Sequence, residues 1–254
     1  MTWEGNLTRC PDPVAAKDAW LYGAAGTAGW RTQFSRDVAL EFAATASVES
    51  CPKFDGLDRV SAGVQGSVRR KFGLGPFAPV LTADLTGTGS SYRESPRNAT
   101  RLAAGLSLSQ RWTGDWQTVV SAEILQNYGR LAAYDYHNHS LALETHYDLT
   151  GRWRLSAGAC RQWGEHVVYA WLGGSGASFP YAYATWKGTV KVPTYGPNWY
   201  AYTMDAHADS IWFAVAPALG GDRALPLRFE QTAVVGLGES FRVQLISLSF
   251  VQRF

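Results

Sequence analysis

No run of about 18 apolar residues, the least that a membrane-spanning helix needs, occurs anywhere in the chain, so a helical membrane protein is excluded. Yet 46% of the 254 residues are hydrophobic while the mean hydropathy is −0.16, so apolar and polar residues must be interleaved rather than grouped. Cysteine is scarce, with 3 residues, too few for a disulfide-stapled scaffold or a cysteine-rich metal site, and no cofactor motif is present. The formal net charge is only +2 and the Lys and Arg residues are scattered singly, which leaves no basic stripe for nucleic acid. The start, Met1-Thr2-Trp3-Glu4-Gly5, has neither a basic nor an apolar targeting region, and the expectation is a mature sequence with an added Met.

Alternation fills the gap that the missing helices leave. Segment 37–50 sets Leu40, Phe42, Ala44, Ala46 and Val48 against Glu41, Ala43, Thr45, Ser47 and Glu49. Segment 99–112 repeats this with Leu102, Ala104, Leu106 and Leu108 against Arg101, Gly105, Ser107, Ser109 and Arg111, and 137–149 and 152–163 continue it. The apolar set never changes face within a strand, the pattern of a wall with lipid on one side and water on the other. Less regular strands are expected at 19–33, 58–72, 77–92, 116–130, 205–219, 223–235 and 241–254. Aromatic content of 13%, with 11 Trp and 12 Tyr, suits two interfacial belts. A soluble β-sandwich or lipocalin-like barrel with an aromatic core is the competing reading.

The last residues, Ser247-Leu248-Ser249-Phe250-Val251-Gln252-Arg253-Phe254, alternate and stop on an aromatic residue. This ending resembles the C-terminal targeting strand of Gram-negative outer-membrane β-barrel proteins. The resemblance implies residence in the outer membrane, contact with its lipid, short turns in the periplasm and longer loops outside. Short turns fall at 35–36, 73–76, 113–115, 150–151 and 220–222; longer links fall at 51–58, 92–98, 129–136, 164–204 and 236–240. Counting back from Phe254 leaves 2–9 as a needed first strand. The fold expected is therefore all-β: one antiparallel transmembrane β-barrel of about 12 strands, a single domain over 1–254.

Inward phase assigns Glu41, Asp84, Arg101, Arg111, Glu123, Glu144, Arg154, Arg228 and Glu230 to the lumen wall, with signs nearly balanced. Such charges either form a stabilising ion-pair network or line a hydrated channel. The Gly-rich, aromatic stretch 164–204 is read as a long loop in which Tyr181, Tyr183 and Trp186 could constrict the mouth or stack on a ring-bearing solute. Cys10 and Cys51 fall in neighbouring loops and are a disulfide candidate; unpaired loop thiols are the other reading. His137-Asn138-His139-Ser140 is the one constellation with precedent in membrane-embedded lipid-modifying enzymes. Alternation puts both His on the lipid side and Ser140 inside, so nucleophile and base are kept apart, and the two His lack a third metal ligand. The expected function is a channel for passive or weakly selective passage of small polar solutes, not an enzyme. The alternatives are an export or assembly barrel serving a periplasmic partner complex and, third, an outer-membrane lipid-modifying enzyme.

Overall fold

A sheet whose strands each carry one wet and one apolar face, and which must expose no unpaired edge to lipid, has to close on itself. The computed structural model, which describes residues 1–149, 152–172, 189–220, 222–236 and 239–253, is a closed antiparallel barrel of 12 strands with almost no helix. In chain order these are β1 (Thr2–Gly5), β2 (Ala19–Gln33), β3 (Val38–Ser50), β4 (Arg59–Lys71), β5 (Val80–Tyr92) and β6 (Ala99–Arg111). The second half comprises β7 (Trp116–Gly129), β8 (Tyr136–Leu149), β9 (Trp153–Trp171), β10 (Trp199–Gly220), β11 (Leu227–Gly236) and β12 (Glu239–Leu248). Each pairs with the next, and β12 closes onto β1 with Thr2 opposite Ser247 and Glu4 opposite Leu245.

Register makes the two faces continuous around the ring. One row of directly paired residues runs Arg31, Glu41, Ser67, Asp84, Gly105, Glu123, Ser140, Gln162, Ala208, Val234 and Phe241. The adjacent row, on the opposite face, runs Trp30, Phe42, Gly66, Leu85, Ala104, Ile124, His139, Trp163, His207 and Val235. Large apolar side chains exposed on that second face include Leu85, Leu102, Leu106, Ile124, Leu141, Leu143 and Ile211. A soluble protein would not leave so continuous an apolar wall uncovered; a bilayer covers it.

Tight connections gather at one end. Phe34 N donates to Val38 O at 3.0 Å and Trp112 N to Trp116 O at 2.8 Å, closing the turns after β2 and β6. The turn after β4 uses Gly73 and Gly75 at φ 111° and 86°, a backbone region open to glycine and costly for other residues. The expected turn at 150–151 lies outside the described residues. At the other end three links carry short 3₁₀ turns at Asp55–Leu57, Ser95–Arg97 and Ala132–Tyr134, whereas the longer link expected at 236–240 is absent, since β11 ends at Gly236 and β12 begins at Glu239.

Two expectations about elements need correction. The first strand stops at Gly5 rather than running to residue 9: Asn6 and Arg9 take φ 57° and 48°, and the Asn6 side chain instead accepts from Cys10 N at 2.8 Å. More consequentially, much of 164–204 is not loop. β9 has 19 residues and β10 has 22, and they stay paired up to Trp171 opposite Trp199. This hairpin stands above the rest of the wall. Its sequence lacked alternation because both of its faces are buried, so neither face needs polar residues.

Candidate functional site

Parity along each strand sets the lumen. Glu41, Asp84, Arg101, Arg111, Glu123, Glu144, Arg154, Arg228 and Glu230 all lie on the inner face by register. They meet as local pairs. Glu41 Oε1 lies 3.0 Å from Arg69 and 3.3 Å from Arg31; Arg154 grips Asp148 through two hydrogen bonds of 2.6 and 2.9 Å; Arg228 lies 2.6 Å from Glu230; Arg101 lies 3.5 Å from Glu123. Arg228 also sits over the inward Trp212 ring at 4.4 Å. These side chains remain open to water: Arg101 and Glu123 are 51% and 40% exposed, and Arg154 and Asp148 53% and 34%. These inward charges are thus both paired and water-accessible. Each pair, screened this way, contributes on the order of 0–1 kcal/mol, so the network shapes the field of the lumen more than it holds the barrel.

Toward the turn end of β3–β7 the wall hollows into a cavity of about 350 Å³. Hydroxyl, amide and charged groups line it, including Gln65, Arg69, Thr82, Asp84, Ser107 and Gln117. Small inward residues make the room. Opposite Asp84 stands Gly105, where a Cβ would come within 2.7 Å of the Asp84 carboxylate.

The loop end is a different environment. Leu7, Cys10, Ala19, Leu21, Cys51, Leu57, Ala133, Tyr134, Val167, Tyr169, Val192, Tyr195, Trp199 and Ala201 pack into one buried cluster. They come from links on several sides of the ring and from the β9–β10 hairpin, so the cluster forms a cap over the mouth. The hairpin's other face, Val168, Ala170, Tyr202 and Met204, packs with Ala208, Val234 and Phe241 of the inner wall. Gly164, at φ 123°, marks where the hairpin leaves the wall, and a Cβ there would lie 2.6 Å from His137 O.

Arg97 fastens the cap. It is 7% exposed and its guanidinium lies 5.6, 5.0 and 5.3 Å from the ring centres of Tyr134, Tyr169 and Tyr195. It donates to Tyr169 Oη at 2.6 Å and to Glu94 Oε2 at 2.8 Å, and Thr194 donates to the same Glu94 oxygen. Burial pulls the Arg97 pKa down, but Tyr169, Tyr195, Tyr134 and Glu94 outweigh it and the net direction is up. Burial pushes the Tyr134 and Tyr195 phenols up, so both stay protonated and neutral. The three links joined here, 93–98, 130–135 and 172–198, are far apart in sequence. Sequence reading missed Arg97, Glu94 and Tyr134 because nothing local marks them; a guanidinium surrounded by aromatics exists only after folding.

Cys10 and Cys51 enter the same cap as free buried thiols, not as a bridge. Burial raises both thiol pKa values, which keeps them unreactive. Tyr181, Tyr183 and Trp186 lie outside the described residues. His139 faces outward and stacks on Trp163 at 5.5 Å, His137 Nδ1 lies 2.9 Å from Glu165 Oε2, and Ser140 pairs inward with Glu123 and Gln162. Also outward, and not foreseen, Arg161 grips Asp209 through bonds of 2.6 and 2.7 Å. Inside, His146 Nδ1 lies 2.9 Å from Ser156 Oγ and its Nε2 3.5 Å from Glu144. The three groups stand side by side on the paired β8 and β9 ladder, which holds the local backbone N–H groups in strand hydrogen bonds. The contact reads as a hydrogen bond of the wet wall.

No protein-family model matches the chain, and no curated protein matches it in sequence. Solved structures do match in fold. An outer-membrane channel from Pseudomonas putida F1 superposes with a TM-score of 0.52 at 10% identity, over 98% of this chain and 93% of that one. The KdgM porin in complex with disordered oligogalacturonate gives 0.48 at 8% identity, over 100% and 98%. The β domain of the Bordetella autotransporter BrkA gives 0.44 at 12%, over 99% and 97%. The closed ring, apolar outer wall and polar inner wall agree in fold with the Pseudomonas putida channel: the chain is a closed 12-stranded antiparallel β-barrel with the fold of an outer-membrane channel.

Proposed function

We propose that the protein resides in the outer membrane as a channel for small polar solutes, its outer mouth covered by the cap and its lumen reached from the turn side. The observation that carries this is the hydrated inner wall with its polar cavity of about 350 Å³, within the range of small-molecule sites. A barrel built only for rigidity would gain by filling that space with apolar side chains. Lipid contacts the outer wall, and the solute meets hydroxyls, amides and paired charges within.

Refolded protein in planar bilayers tests the reading. The wild type conducts weakly or intermittently, and Arg97→Ala, which unfastens three links, raises the open fraction. A barrel that conducts nothing in either form, while shown to be folded, overturns the channel. An export or assembly barrel for a periplasmic complex is the second reading, favoured by one asymmetry: the cap closes the loop end only. On that reading the isolated barrel stays silent and conducts once a periplasmic partner is bound.

A further inference from the structure

The charges that nearly cancel along the sequence do not cancel along the barrel axis. Lys71 and Arg111 are the last residues of β4 and β6, and Arg154 is the second of β9. Arg31 and Arg69 lie one alternation in from the ends of β2 and β4. All five are on the inner face, at the turn end of the lumen. Arg228, second in β11, joins them, and three acids offset this layer: Glu41, shared by Arg31 and Arg69, Asp148, held by Arg154, and Glu230, held by Arg228, which leaves Lys71 and Arg111 without a salt bridge among the described residues. The inward acids Glu123 and Glu144 stand higher up their strands, and Asp84, fifth in β5, stands just above Glu41, fourth in β3. Charges in the flanking turns, Arg36 and Asp37, Asp115 and Arg152, Asp222 and Arg223 with Arg253, nearly balance and do not mask the excess.

Placed against the cavity, this layer has chemical content. Glu41 and Arg69, paired at 3.0 Å, line the cavity together with Thr82, Ser107, Ser109 and Gln117, and Lys71 stands just beyond, opposite Val80, whose other partner is Ser109. Arg111 is paired with Gln117 across β6 and β7. Cations at the rim and hydroxyl and amide groups behind them form a surface that receives an acidic group on one side and hydroxyls on the other. Asp84, deeper in the same cavity, accepts from a hydroxyl and repels a second acidic group.

We infer that the turn-end vestibule, periplasmic in barrels of this type, is a binding site for small hydroxylated anions, with Lys71 and Arg111 receiving the carboxylate or phosphate. The site refines the channel reading by naming the solute class, and it rests on that reading for its purpose, although not for its detection.

Binding is tested without conductance, on the full barrel folded in a zwitterionic detergent. Fluorescence anisotropy follows a trisulfonated pyrene dye, and glucuronate and glucose serve as competitors. The wild type binds the dye, added salt weakens it, glucuronate displaces it and glucose at equal concentration does not. Lys71→Gln with Arg111→Gln weakens binding about tenfold, from two lost charge contacts, whereas Arg161→Gln on the outer wall leaves it unchanged. Both sets are checked for the heat-resistant folded band on gels, and a destabilised double variant is replaced by the single changes, each about threefold weaker. No dye binding by the wild type, an unchanged affinity in the inner variants, or equal competition by glucose overturns the site. Binding that persists in a barrel that never conducts keeps the site and overturns only the channel.

Discussion

At the scale of single residues, a side chain's worth depends on which of three environments it meets. Leu106 is 50% exposed on the outer wall near the middle of β6, whereas its neighbour Ser107 faces the lumen and lines the cavity. Leu106→Arg therefore costs roughly 2–4 kcal/mol at the bilayer midplane, measured by reversible unfolding in lipid vesicles, and Ser107→Arg costs far less because water reaches it. Similar costs at both sites would mean the faces are misassigned. Arg97→Met meets the third environment: it strands the Glu94 carboxylate, 9% exposed, without its cation. Breaking a buried pair by removing one partner costs about 3–5 kcal/mol, and amide exchange in 165–171 should accelerate while that of β3–β6 does not. Thiols report the same division. A membrane-permeant maleimide should label the half-buried Cys160 on the wet wall ahead of Cys10 and Cys51, whose burial blocks approach. Fast labelling of Cys51 would argue against a packed cap.

At the scale of elements, the β9–β10 hairpin differs from every other in length and in surroundings. Its residues near the turns obey alternation, with Leu155 outward and Ser156 inward, and were legible in the sequence. Beyond Gly164 the run Val167-Val168-Tyr169-Ala170 is buried on both faces, and period-2 reading has no grip on it. The pivot has a specific requirement. Gly164→Ala would place a methyl in a backbone region disfavoured for alanine and against the His137 carbonyl, at a cost of about 1–3 kcal/mol. The expected signature is loss of protection in the hairpin with the rest of the barrel intact, read by limited proteolysis followed by mass spectrometry. Uniform loss across all strands would assign Gly164 to the barrel wall and not to the cap. Short 3₁₀ turns such as Ser95–Arg97 were equally hidden, because a three-residue turn leaves no periodic trace.

At the scale of the molecule, orientation follows from the unequal connections. Protease added to intact cells should reach loops such as 51–58 and spare Gly114 until the cells are lysed; early cleavage at Gly114 would invert the barrel and, with it, the position of the basic vestibule. The sequence by itself determined the barrel. Alternation with a fixed phase specifies two faces, turn residues specify where strands reverse, and unequal links specify which ends lie together; these are local quantities, each written within a few residues. It also assigned the inward charges, since parity carries Glu41 and Arg154 to the same face as surely as it carries Leu106 to the other. Only the tertiary structure decided what closes the mouth and how charge is arranged along the axis. Arg97 meets Tyr169 across 72 residues of chain, and strand ends set the height of Lys71 relative to Asp84. Both depend on distances between chain segments that no local pattern encodes, so a near-neutral composition does not show that inward cations such as Lys71 and Arg111 gather at the strand ends beside the turns.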